Sequence, residues 1–126
     1  MTLLLDTHVV LWWMADERDR VGKKAVTAIE AVGARIVVSA VTVWEVAIKR
    51  RLGKLDAPGD LLQRLERADV ELLPINARHA DRVGVLPMHH RDPFDRLLIA
   101  QAEVENFTLV TADTEMDDYE VEIVWQ

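Results

Sequence analysis

LLLDTH, residues 3–8, carries three leucines straight into an aspartate. A leucine run of this kind ends inside a hydrophobic core, so an acid at its tip needs a reason. With Thr2 the run reads as a β-strand over 2–6. Its apolar side chains fall at consecutive rather than alternate positions, the mark of a strand covered on both faces. Short runs rich in branched residues return in RIVVSA (35–40), VELLPI (70–75), FTLVTA (107–112) and VEIVW (121–125), and most have the look of buried parallel strands. Between them the apolar spacing becomes helical, predicting helices over 8–15, 20–32, 42–52, 59–68, 76–85 and 93–105. Strands that alternate with helices make an α/β fold on a largely parallel sheet. RLGKLDAPGD (51–60) is the clearest break and reads as a loop between helices. No repeat, low-complexity tract or long linker divides the chain, so 1–126 reads as a single domain.

Composition narrows the classes. Half of the 126 residues are apolar, enough for a real core. There is no cysteine, which excludes disulfides and thiolate metal sites and suits a reducing, cytoplasmic setting. The N-terminal apolar stretch lacks a basic start and is interrupted by Asp6 and His8, unlike a secretory signal. No apolar run is long enough for a membrane span. A net charge of -7 argues against coating nucleic acid through a broad basic face. It leaves room for a clustered acidic site that holds cations. Glycine-rich phosphate loops are absent.

Open parallel sheets carry their sites at the carboxyl ends of the strands. Asp6 ends the first strand. Ser39 ends the second, and Glu45 lies on the helix that follows. Asp113 comes just after LVTA, the fourth strand, and Asp95 stands in the first turn of the helix in DPFDRLLIAQAEV. Four acids are thus predicted near one sheet edge. Their repulsion would raise some pKa values unless cations neutralise them. An all-oxygen site of this kind suits Mg²⁺ or Mn²⁺, ions that bind phosphate oxygens and activate water for in-line displacement at phosphorus. Each acid also has a structural role open to it. Asp6 can cap the helix after the first strand. Glu45 completes TVWE, a Thr-x-x-Glu capping box with Thr42. Asp95 follows an Asp92–Pro93 helix start, where any carboxylate suits the helix dipole. Asp113 can be a loop acid. The two kinds of role are compatible, because a helix N-terminus helps keep a carboxylate ionised.

LLLDTHVVLWW, SAVTVWEVAIKRRLGKL, HRDPFDRLLIAQA and LVTAD resemble the successive motifs of the PIN-domain ribonucleases, above all the VapC-type toxins of toxin–antitoxin pairs. The resemblance runs from residue 3 to about 125, and the DPFDRLLIAQA block is its most specific part. It implies a three-layer α/β/α fold with a central, mainly parallel sheet of about five strands. It also implies an acidic pocket for one or two Mg²⁺ or Mn²⁺ ions and a metal-dependent endoribonuclease. Motif by motif, the catalytic and metal-binding acids are Asp6, Glu45, Asp95 and Asp113, with Asp117 or Asp118 as substitutes for the last. Thr7 and Thr111 occupy supporting places. The implied partners are an RNA substrate, an antitoxin protein and a second copy of the chain, with no membrane.

Two other classes share parts of this pattern. One is a non-catalytic, metal-binding regulatory module such as a receiver-like domain. Such domains pair two acids after the first strand and need a lysine after the last, whereas here one acid stands there and VEIVWQ has no lysine. A phosphatase using Asp6 as nucleophile would need a second acid two residues on, where His8 stands. KRRLGK (49–54) reads either as an RNA phosphate contact or as a solvated helix end. His89 and His90 read as loop residues. Trp12, Trp13 and Trp44 lie on predicted helices, where packing is the default; with the helix over 59–68 they are candidates to line an antitoxin groove.

Overall fold

The computed structural model describes residues 1–88, 92–112, 119 and 123–124. Five strands, β1 (Thr2–Leu5), β2 (Arg35–Ser39), β3 (Glu71–Leu73), β4 (Thr108–Val110) and β5 (Ile123–Val124), form one sheet. Their order is β3-β2-β1-β4-β5, and every pairing is parallel. The helices are α1 (Thr7–Met14), α2 (Arg18–Val21), α3 (Lys23–Glu30), α4 (Ala40–Arg51), α5 (Leu61–Arg67), α6 (Ala77–Val83) and α7 (Pro93–Glu105). No helix among the described residues is long and apolar enough to cross a membrane.

The leucine run sits at the centre of this sheet. Leu4 pairs in register with Val37 of β2 and Leu109 of β4, and Leu5 pairs with Val38 and Val110. Because strand side chains alternate, the run feeds two cores. Leu3 and Leu5 join Val9 and Val10 of α1, Ala25 and Ile29 of α3, and Leu65 of α5 on one face. Leu4 joins Val37, Leu109 and the α7 residues Leu98, Ile99 and Ala102 on the other. All three leucines are fully buried or nearly so, worth about 1.5–3 kcal/mol each. This is the parallel α/β fold that the alternating periods predict, in the three-layer α/β/α form that the resemblance implies. The edge strands differ: Glu71 and Leu72 of β3 are exposed, and Arg35 closes over that edge with a forked ion pair to Glu71.

The predicted helix over 20–32 is in fact two, α2 and α3, separated by Gly22 at φ 91, ψ 155. Side chains other than hydrogen are essentially excluded from that backbone region. Gly22→Ala is therefore expected to cost about 1–3 kcal/mol, read as a lower midpoint in a denaturant melt with an unchanged slope.

Two polar clusters fix α6 and α7. Arg96 is buried, and its Nη1 donates to Pro87 O at 2.8 Å while its Nη2 donates to Val83 O at 3.0 Å and Leu86 O at 3.3 Å. One guanidinium thus satisfies the last carbonyl of α6 and two carbonyls of the segment that follows it. The second cluster joins three helices. His79 Nδ1 accepts from the Asn76 backbone N–H at 3.2 Å, so the imidazole is neutral at Nδ1 and carries its proton on Nε2. Gln101 Nε2 therefore donates to the same Nδ1, at 3.2 Å. Gln101 Oε1 in turn accepts from Ser39 Oγ at 2.5 Å. Among the described residues His79 Nε2 has no hydrogen-bond partner, and Glu105 Oε2 stands 3.6 Å away.

Candidate functional site

The site begins where β1 stops. Asp6 N still donates to Val110 O at 3.0 Å, the last bond of the ladder. Its side chain then turns to α1, and Oδ1 accepts from Val9 N at 2.9 Å. Asp6 is thus the N-cap of α1, as its position after a strand predicts. Its second oxygen, Oδ2, accepts from the Thr111 hydroxyl, just past β4. One carboxylate ties together β1, α1 and the exit of β4, with only 5% of its residue surface exposed.

Glu45 does not form the predicted capping box with Thr42. Helix α4 starts earlier: Ser39 is its N-cap, with Oγ accepting from Val41 N at 2.9 Å, and Thr42 lies inside the first turn. β2 runs to Ser39, which still pairs with Leu73, so the chain passes from strand to helix with no loop. Glu45 is consequently free of cap duty and points across to α1. Its Oε1 accepts from Thr7 Oγ1 at 2.6 Å, and the Thr7 hydroxyl also meets Thr42 Oγ1 at 3.1 Å. Its Oε2 accepts from Lys49 Nζ at 2.5 Å. Lys49 is one helical turn on, the Glu-to-Lys spacing that brings opposite charges together.

α7 supplies the next carboxylates. Asp92 precedes Pro93 and caps the helix: Oδ1 accepts from Phe94 N at 2.8 Å and Asp95 N at 3.0 Å. Its Oδ2 stands 3.7 Å from Lys49 Nζ. Asp95, half-buried in the first turn, also acts on Lys49 through its charge. Burial pulls the Lys49 pKa down. The hydrogen bond and charge of Glu45, with the charges of Asp92 and Asp95, outweigh burial and hold the ammonium above its ordinary range. One cation therefore faces acids from α4 and α7.

Glu45 and the acids of α7 are thus brought to one ammonium, and Asp6 and Glu45 are held by hydroxyls at the same carboxyl edge of the sheet. Among the described residues, no three His, Cys, Asp or Glu side chains stand close enough together to clasp a metal ion. Asp113, Asp117 and Asp118 lie outside the described residues, as do His89 and His90. KRRLGK is not a uniform basic patch. Lys49 turns into the acids, while Arg50 Nε donates to Ala57 O at 3.0 Å and pins the loop before α5. Lys49 is the residue that reading acids alone misses; its signal is the Glu-x-x-x-Lys spacing on a helix. The tryptophans part company too. Trp12 and Trp13 pack on the core beneath Arg20 and Arg18. Trp44, 46% exposed, meets Phe94 edge to face at 4.8 Å between centroids.

Residues 3–122 match the family model described as PIN domain. Ribonuclease VapC22 of Mycobacterium tuberculosis is 30% identical over 123 residues, an alignment covering 89% of this chain and 87% of that protein. The fold is similar to that in VapBC2 from Rickettsia felis bound to a DNA fragment from their promoter, with a TM-score of 0.71 and 17% identity over 98% of this chain and 97% of that one. It is also similar to VapBC-5, a member of the VapBC family of toxin–antitoxin systems from Mycobacterium tuberculosis, with a TM-score of 0.63 and 21% identity over 99% and 98% of the two chains.

Proposed function

The chain belongs to the PIN domain family, and from that premise we propose that it is a metal-dependent endoribonuclease, the toxin of a toxin–antitoxin pair. The observation that carries this reading is the cation already seated among the acids. Glu45 is 3% exposed, yet its carboxylate faces an ammonium rather than an apolar wall. A buried carboxylate with one oxygen oriented by a hydroxyl and the other turned to a positive charge is built to sit opposite a cation. The donors at this edge are all oxygen, which fits Mg²⁺ or Mn²⁺. Asp6, Glu45, Asp95 and Asp113 would hold the ion once the acids draw together around it, since the three described ones stand too far apart to clasp it as they are. When bound, such an ion lowers the pKa of a water and offsets charge on the phosphoryl oxygens.

The chain's own residues do the rest. Thr7 and Thr111 orient Glu45 and Asp6, so neither carboxylate has to be ordered when RNA arrives. A carboxylate of the set positions the attacking water and takes its proton. The water oxygen bonds to phosphorus as the bond to the 3′-oxygen breaks, leaving a 5′-phosphate and, after protonation, a 3′-hydroxyl. Lys49 is placed to pair with a phosphate oxygen once Glu45 has another cation to face.

The VapBC neighbours support an antitoxin partner for this chain. A cleft of about 530 Å³ lined by Leu11, Trp12, Ala15, Leu55 and Pro58 together with His8, Glu17, Arg20 and Asp56 lies beside one of about 330 Å³ between α4 and α5, and both include Pro58. An antitoxin segment with both apolar and charged side chains fits there.

The test is cleavage of a panel of single-stranded RNAs with and without Mg²⁺, alongside thermal melts. Cleavage is expected only with the ion. Millimolar Mg²⁺ is expected to raise Tm, by roughly 4 °C for each kcal/mol of binding energy in a chain of this size. Asp6→Asn is expected to blunt that rise. Metal-independent cleavage, or an unchanged Tm for both proteins, would overturn the metal-dependent reading.

A further inference from the structure

Two aromatic rings stand at the rim of the acidic site, and neither the caps nor the carboxylates use them. Trp44 directly precedes Glu45 on α4, and Phe94 directly precedes Asp95 on α7. On a helix, neighbours in sequence lie about 100° apart, so each ring flanks the face that bears an acid. Their centroids are 4.8 Å apart at 68°. The two rings pack edge to face, while 46% of Trp44 stays exposed. Lys49 joins rings to acids: its Nζ lies 5.5 Å from the Phe94 ring centre and 2.5 Å from Glu45 Oε2. A large indole braced by a second ring that itself borders an ammonium, and half open to solvent, is a poor arrangement for folding alone. It is a good one for a flat, polarisable ring attached to a phosphate.

Resting on the ribonuclease reading above, we propose that Trp44, backed by Phe94, is a stacking shelf for one unpaired nucleobase beside the scissile phosphate. The choice of nucleic acid over a protein surface follows from charge. Phe94, the back of the shelf, lies against Lys49, and Arg51 stands two helical turns along α4 on the face of Trp44, so a strand stacked on Trp44 has cations within reach of its phosphates. Stacking needs a free base face, which single strands offer and a duplex does not. The shelf therefore selects single-stranded RNA at the cutting site. It tolerates any base, because every base has a π-face.

The experiment separates binding from chemistry. In an Asp6→Asn background, fluorescence anisotropy measures binding of a labelled single-stranded RNA 12-mer and of its duplex. Trp44→Ala is expected to weaken single-strand binding about tenfold, the scale of one stacked base. Trp44→Phe should bind within about threefold of the parent, and duplex binding should not change. With Asp6 intact, Trp44→Ala should raise KM and leave kcat nearly unchanged. Equal binding by the alanine and phenylalanine variants, or an equal loss on the duplex, overturns the shelf. So does a Trp44→Ala protein whose subunit assembly changes in sedimentation while its RNA binding does not, which makes the face a protein contact. Single-strand binding through Trp44 in a chain that never cleaves keeps the shelf and removes the nuclease reading; normal cleavage with no Trp44 dependence does the reverse.

Discussion

Asp95→Asn is expected to fold normally and to lose most RNA cleavage, while Asp92→Ala, three positions away, is expected to fold less well and still cut. Asp92 spends Oδ1 on two backbone N–H groups and sits ahead of Pro93, so its work is starting α7. Losing that cap costs about 0.5–2 kcal/mol. Asp92→Ser restores a capping oxygen and should recover most of it. Asp95 enters that cap through its backbone N–H. It sits in the first turn, half-buried, with its charge on Lys49. Asparagine keeps its shape and removes the charge, so the folding cost is small. The loss of cleavage is expected at roughly 100- to 10,000-fold, the range that a positioned acid–base group supplies. Thermal melts and single-turnover cleavage on both variants decide the matter. A folded Asp92→Asn that is inactive, beside an Asp95→Asn that cuts normally, would reverse the assignment.

The second large effect concerns stability in the absence of metal. Lys49→Met leaves Glu45 buried with its Oε2 facing no cation. Removing one partner of a buried pair costs about 3–5 kcal/mol. The Lys49 side chain is 29% exposed and its neighbourhood partly screened, so about 2–3 kcal/mol is the expectation here. Glu45→Gln in the same chain should recover most of that, because the neutral amide no longer needs a counter-charge. The double variant would then be closer to the parent than Lys49→Met is, a coupling that denaturant melts on the four proteins measure directly. Mg²⁺ should stabilise Lys49→Met more than the parent, since the ion meets an uncompensated charge. Additive losses for the two single changes would mean that Lys49 acts through packing and not through Glu45.

Much of this could be read from the residues. Leu3, Leu4 and Leu5 predict a strand buried on both faces, and the structure gives one to each core. Asp92–Pro93 predicts the start of α7 to the residue, because proline leaves its predecessor little choice. Other features were hidden by competition between equal signals. Gly22 falls inside the apolar helical pattern over 20–32, and its positive φ turns it into a break. Ser39 and Thr42 are both good caps; the ladder that carries β2 as far as Ser39 decided for the earlier one. Asp6 at the end of β1 was legible singly. What brings Glu45 together with the acids of α7 was not, because it is a lysine read as part of a basic helix end.

The hydrogen-bonded chain from Ser39 through Gln101 to His79 and Asn76 has a consequence for how this molecule opens. Ser39 caps α4, Asn76 caps α6, and Gln101 lies in the middle of α7. Each cap shares its network with the other, so neither helix can fray at its start without stranding buried polar atoms at the far end. The starts of α4 and α6 are 37 positions apart in sequence, yet they belong to one cooperative unit, with α7 as its spine. The helix that carries Glu45 and Lys49 thus inherits the stability of the interior of α7. The acidic edge of the sheet is anchored from the interior of α7.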